Sequence, residues 1–81
     1  MASVPYQSKF QKGELVRVKS SEDLERFRLE WKFHDPLTVE QVAQGGRTDH
    51  VKEVGYYFGG DVLYTLDNIP GVWHEENLSE P

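Results

Sequence analysis

Each of the three histidines stands next to a carboxylate, in His34-Asp35, Asp49-His50 and His74-Glu75. Imidazole and carboxylate are the ligands of an open zinc site and the partners of a general acid and base, so chemistry is sought there first. The spacing argues against a metal. Separations of 16 and 24 residues fit no local ligand motif, and neighbours on a strand point to opposite faces, so a His–acid dipeptide does not chelate. Acid–base catalysis needs two carboxylates in one pocket with their pKa values pushed apart. Asp61, beside Gly59-Gly60, and Glu75, beside Trp73, are the only pair to consider. An acid next to glycines at a strand end is ordinarily a turn residue. The chain has no nucleophile elbow, P-loop or dinucleotide-binding glycine pattern. With no cysteine, thiolate nucleophiles, thiolate metal ligation and disulfides are excluded. The expectation is a protein that is not an enzyme and takes neither metal nor cofactor.

The other candidate constellation is aromatic. The stretch YYFGGDVLYTLDNIPGVWHE, residues 56–75, holds three of the four tyrosines, a tryptophan and a histidine. Tyr57, Tyr64 and Trp73 are read as the lining of a groove, with Asp61, His74 and Glu75 as its polar rim. Aromatic grooves of this kind hold extended or proline-rich peptides. The competing account is that the rings fill a core, because a small domain needs most of its apolar side chains inside. Core is the expectation for Tyr56, Phe58, Leu63 and Leu66, and both accounts stay open for Tyr57 and Trp73. Fourteen acids against nine bases give a net charge of -5, so an acidic rim calls for a protein partner with basic groups. Nucleic acid is not expected: Arg26, Arg28 and Lys32 are interleaved with Glu25 and Glu30 rather than forming a basic stripe. A membrane is not expected either, since nowhere do about 18 apolar residues run together. MASVPYQSKF lacks a signal-like apolar stretch, so a cytoplasmic location is the expectation.

These residues must be positioned by a single domain, expected over residues 10–78 behind an arm of residues 1–9 and before a tail of residues 79–81. KGELVRVKS reads as a half-buried strand entered through a turn at Gly13, with Val16 and Val18 alternating with charged neighbours. Ser20 or Ser21 then caps a short helix with Glu22 and Asp23 at its positive end. Leu24, Phe27 and Trp31 have helical spacing, while Phe27, Leu29, Trp31 and Phe33 alternate as in a strand. The expectation is a helical turn to about Phe27 and an extended segment after it. Past His34-Asp35-Pro36, Thr38 and Gln41 form a capping-box pattern ended by Gly45-Gly46, with a strand over Leu37 to Val42 as the rival. HVKEVGYYF and DVLYTL flank Gly59-Gly60 as a hairpin that pairs Tyr57 with Val62 and Tyr56 with Leu63. Both its faces carry apolar groups, which is unusual for a hairpin with one wet side. Asp67 to Gly71 is a turn, and VWHEENL a short final strand or helical turn.

The order of these elements resembles a small SH3-like barrel: mainly β, about five antiparallel strands and one or two short helices. Within that class, Phe10, Gly13, Val16, Arg17 and Val18, followed by Leu63, Tyr64, Thr65, Leu66 and Trp73, are similar to the barrel of nitrile hydratase beta subunits. The segment HDPLTVEQVAQGG departs from that subunit. Its family's metal chemistry belongs to the other subunit, so nitrile hydration is not implied. The expected function is a non-catalytic interaction module with a regulatory, inhibitory or accessory role. The alternative is an accessory subunit or minimal domain of a small-molecule or metal-dependent enzyme. Self-association through a strand edge, giving a homo-oligomer, is a third reading.

Overall fold

A computed structural model describes residues 8–57 and 61–81. In chain order the elements are β1 (Leu15–Val18), α1 (Ser21–Glu30), α2 (Val39–Val42), β2 (Thr48–Tyr56), β3 (Val62–Leu66), β4 (Trp73–His74), a 3-10 turn (Glu75–Asn77) and β5 (Leu78–Ser79). The five strands form one antiparallel sheet in the order β4-β3-β2-β1-β5. Strand β2 serves both halves: its start pairs with β1 and its end with β3, and the register shifts between Val51 and Glu53. Such an irregularity bends a strand. Mainly β with two short helices is therefore right, but the sheet does not close into a barrel. Strands β4 and β5, two residues each, are its two edges, and the 3-10 turn between them takes the place of a closing ladder.

The core lies on one face of this bent sheet. Val16 and Val18 face it from β1, Val62, Tyr64 and Leu66 from β3, Trp73 from β4 and Leu78 from β5. Leu24 from α1 and Phe10 seal it. Each such side chain contributes about 1.5–3 kcal/mol when fully buried. The described part of the expected arm is docked: Lys9 N–H donates to Glu75 at 2.7 Å, and Tyr56 O–H donates to Ser8 at 3.2 Å. Ser79, expected in the tail, belongs to β5 opposite Arg17.

Ser20 caps α1, accepting from Asp23 N–H at 3.1 Å. The helix runs to Glu30, past the end expected at Phe27. Arg28 grips Glu25 with two hydrogen bonds of 2.7 and 2.8 Å, and Trp31 N–H closes the last turn on Phe27 C=O at 2.8 Å. These local bonds override the strand-like alternation. The capping box on α2 is formed, with Thr38 accepting from Gln41 N–H and Gln41 accepting from Thr38 N–H. Gly45 is needed because a Cβ there would sit 2.2 Å from Ser21 N, where α1 begins. No helix among the described residues is long and apolar enough to cross a membrane.

The hairpin register is one residue away from the expected one: Tyr56 pairs with Val62 and Gly55 with Leu63, and Tyr57 N–H donates to Asp61 C=O. The expected Gly59-Gly60 turn and Phe58 lie outside the described residues. A one-residue slip exchanges the faces of one strand relative to the other. Val54, Tyr64 and Trp73 therefore form one cross-strand row, and Gly55, Leu63 and His74 the next. The first row faces the core; the second faces away from it.

Candidate binding surface

The second face of the hairpin is covered by the connection between α1 and α2. His74, projecting there from β4, touches three rings: Phe27 at 5.0 Å between centroids, Trp31 at 4.9 Å and His34 at 5.7 Å. Its Nε2 lies 2.8 Å from Asp35 C=O. A carbonyl only accepts, so this nitrogen carries the proton. Asp35 has φ +50°, a left-handed conformation that aspartate tolerates better than most residues. The following Pro36 disfavours the ordinary helical alternative. This kink turns the carbonyl onto His74 and leaves the Asp35 side chain beside His34.

Outside this support runs a chain of rings, half-buried at Trp31 and exposed at Phe33, His34 and Tyr57. Phe33, 70% exposed, meets Trp31 edge-on at 5.2 Å. Trp31 meets His34 at 5.6 Å, and His34 stacks on Tyr57 at 6.1 Å with 15° between planes. Trp31 Nε1–H donates to His34 C=O at 2.6 Å, fixing the turn. Tyr57 is 44% exposed. Its ring lies across Gly55, where a Cβ would be 3.0 Å from Tyr57 Cε1; the missing side chain makes the seat for the ring. An open cleft of about 130 Å³ continues the strip, lined by Tyr57, Gly55, Leu63 and Val72, with Glu53 at its rim. Leu29, 56% exposed, extends the apolar surface of the end of α1.

Two carboxylates flank the strip, both holding the same ring. His34 Nδ1 lies 3.0 Å from Asp35 Oδ2, and His34 Nε2 lies 2.6 Å from Asp61 Oδ2. With an acceptor at each nitrogen, the doubly protonated imidazolium is the form that satisfies both contacts. The Asp61 hydrogen bond, and after it the Asp35 one, raise the His34 pKa above the ordinary histidine value.

The residues expected to form the groove are thus divided between two sides of the sheet. Tyr57 and Asp61 lie on the strip, and His74 lies buried beneath it. Tyr64 and Trp73 are 1% and 0% exposed and belong to the core, and Tyr64 also borders the cleft beside Tyr57. Glu75 accepts from Tyr64 O–H at 2.6 Å and from Lys9 N–H, tying the core to the segment before β1. Burial, and after it the Glu75 carboxylate, push the Tyr64 phenol far above its ordinary pKa. Trp31 and Phe33 stood outside the expected groove, and His34 and Asp35 were weighed only as metal ligands or acid–base groups. Their signal is an aromatic run that continues past the last core-facing helical position and ends at a proline turn.

The histidines do not converge on one metal site. His34 and His74 are neighbours, whereas His50 lies with Asp49 and Asp67, the group of His and acids with metal-ligand spacing among the described residues. Asp49 is already saturated: its oxygens accept from the backbone N–H of His50, Asn68 and Ile69 and from Asn68 Nδ2. Burial is the largest single influence on its pKa and acts upward. The four hydrogen bonds together outweigh it, so its pKa lies below the ordinary carboxylate value. Asp49 caps the turn after β3. Asp61 and Glu75, the carboxylates considered for catalysis, are held by different partners, His34 and Tyr64.

No known protein family, curated protein or solved structure matches the chain.

Proposed function

We propose that this protein is a non-catalytic interaction module, regulatory, inhibitory or accessory in role, that binds an extended basic segment of another protein. The segment lies along Phe33, Trp31, His34 and Tyr57. The observation that carries the reading is the unbroken chain of ring contacts from Phe33 to Tyr57, exposed at both ends and held from beneath by His74. Exposed aromatic rings on a rigid support offer large contact area with little ordering entropy, which is what binding surfaces use. Asp35, Asp61 and Glu53 beside the strip and the cleft supply the complement of a cationic partner. Kinship with the SH3-like barrels, nitrile hydratase beta subunits among them, is part of this proposal. It is supported by the last strand returning beside the first and by a 3-10 turn leading into it.

The test is a titration with a capped proline-rich peptide containing two arginines, followed through the side-chain NMR signals of Phe33, Trp31 and Tyr57. Shifts confined to these rings, and lost in a Phe33→Ser variant that keeps its Trp73 core signals, are expected. Absence of shifts at millimolar peptide, or concentration-dependent self-association through the same rings, would refute the reading.

A further inference from the structure

The strip carries its own cation. The His34 ring is planar, has a nitrogen facing a carboxylate at each end, and lies nearly parallel to the Tyr57 ring. A site with these three properties matches one biological side chain better than any other. A guanidinium is a planar cation with N–H groups at its edges that pairs with carboxylates and stacks on aromatic faces. A lysine ammonium has neither the plane nor the fork. We propose that Asp35 and Asp61 form the cation subsite of the binding surface, and that a partner arginine takes it by displacing the His34 ring from between them. This rests on the interaction-module reading above and adds the chemistry of the recognised group.

Displacement links binding to protonation. The groups facing the ring are Asp35 on its own loop, Tyr57 just after β2, Asp61 just before β3 and His74 from β4. His74 directs its Nε2 proton to Asp35 C=O rather than to the carboxylates. When His34 is charged, its charge offsets one of the two acids and both carboxylates are occupied. When it is neutral it retains a single N–H, and one carboxylate is released to the partner. Arginine and the His34 proton therefore compete, and by reciprocity the partner lowers the affinity of His34 for its proton.

The experiment measures peptide affinity from about pH 5.5 to about pH 8.5, the range in which a histidine changes charge. The His34 ring is followed by NMR with and without saturating peptide, using the two-arginine peptide and its two-lysine counterpart. Affinity for the arginine peptide is expected to rise with pH between the His34 pKa in the complex and its raised pKa in the free protein, by at most about tenfold per unit. Saturating peptide is expected to lower that pKa, and the lysine peptide to bind several-fold more weakly. His34→Gln, with its Trp73 core signals intact, is expected to lose the pH dependence of binding, whatever affinity it retains. Asp61→Asn, with its Trp73 core signals intact, is expected to bind weakly throughout. If the strip rings shift but affinity is flat with pH and the His34 pKa stays put, the displacement inference is wrong and the surface reading stands. If no ring shifts at any pH, both are wrong.

Discussion

Two histidine–carboxylate sites in this molecule use the same chemical groups for opposite ends. Around Asp49 every acceptor direction is occupied by a donor of the chain itself, three of them backbone N–H groups. Around Asp61 the oxygen in use holds a single exposed side chain, a histidine whose charge depends on pH. A carboxylate that holds backbone builds structure, because removing it strands donors that have no other partner. A carboxylate that holds an exposed cation is exchangeable, because water or another cation can replace what it loses. Burial alone does not make the difference; what is bonded does.

The comparison breaks most visibly at Asp49. Asp49→Ala leaves the donors of Asn68 and Ile69 without a partner and is expected to destabilise the domain by on the order of 3 kcal/mol. Urea denaturation checks this, and a loss below about 1 kcal/mol would contradict the structural role. Next in size is acid sensitivity. Because the folded pKa of Asp49 is lowered, its contribution is present above the ordinary carboxylate pKa. It is lost as pH falls through the folded value. Wild-type stability should therefore drop in acid, and Asp49→Asn should drop less. Denaturation curves at a series of acidic pH values would show it.

Gly55→Val sharpens the surface side of the comparison. The new side chain meets the Tyr57 ring and displaces it, at about 1 kcal/mol in stability, while peptide binding to the strip is lost. Unchanged binding would mean that the seat of Tyr57 is unimportant. The smallest effect belongs to His34. Its raised folded pKa makes its contribution fully present below the unfolded value of about 6.5 and lost as pH rises through the folded value. Solvent exposure keeps this small. His34→Gln should flatten that slope while leaving the acid transition of Asp49 in place.

How far the fold was legible follows from the range of the interactions. Val16 and Val18 alternating with Arg17, Ser20 before an acidic turn, and Thr38 with Gln41 are signals within a few residues, and each appears where it was read. The end of α1 was misplaced because Phe27, Leu29, Trp31 and Phe33 satisfy two periodicities at once. The Arg28–Glu25 grip, an interaction on the helical side alone, decides between them. The register of the hairpin turned on a single residue, and that residue decided which face each aromatic ring occupies.

The sequence by itself determined that the chain is small, mainly β, without thiol chemistry, rich in rings and acidic. Composition and short-range pattern suffice for that, because strand alternation, caps and charge balance are local properties. Only the tertiary structure decided that Tyr64 and Trp73 are core and that His74 is a buried support. The same holds for the proposed binding surface of Trp31, Phe33, His34 and Tyr57. Those residues meet because the α1–α2 connection folds back over the outer face of the hairpin, bringing His34 to Asp61 across 27 positions of chain. Nothing in the spacing of either residue announces that contact. It exists only once the sheet has bent and its outer face must be covered.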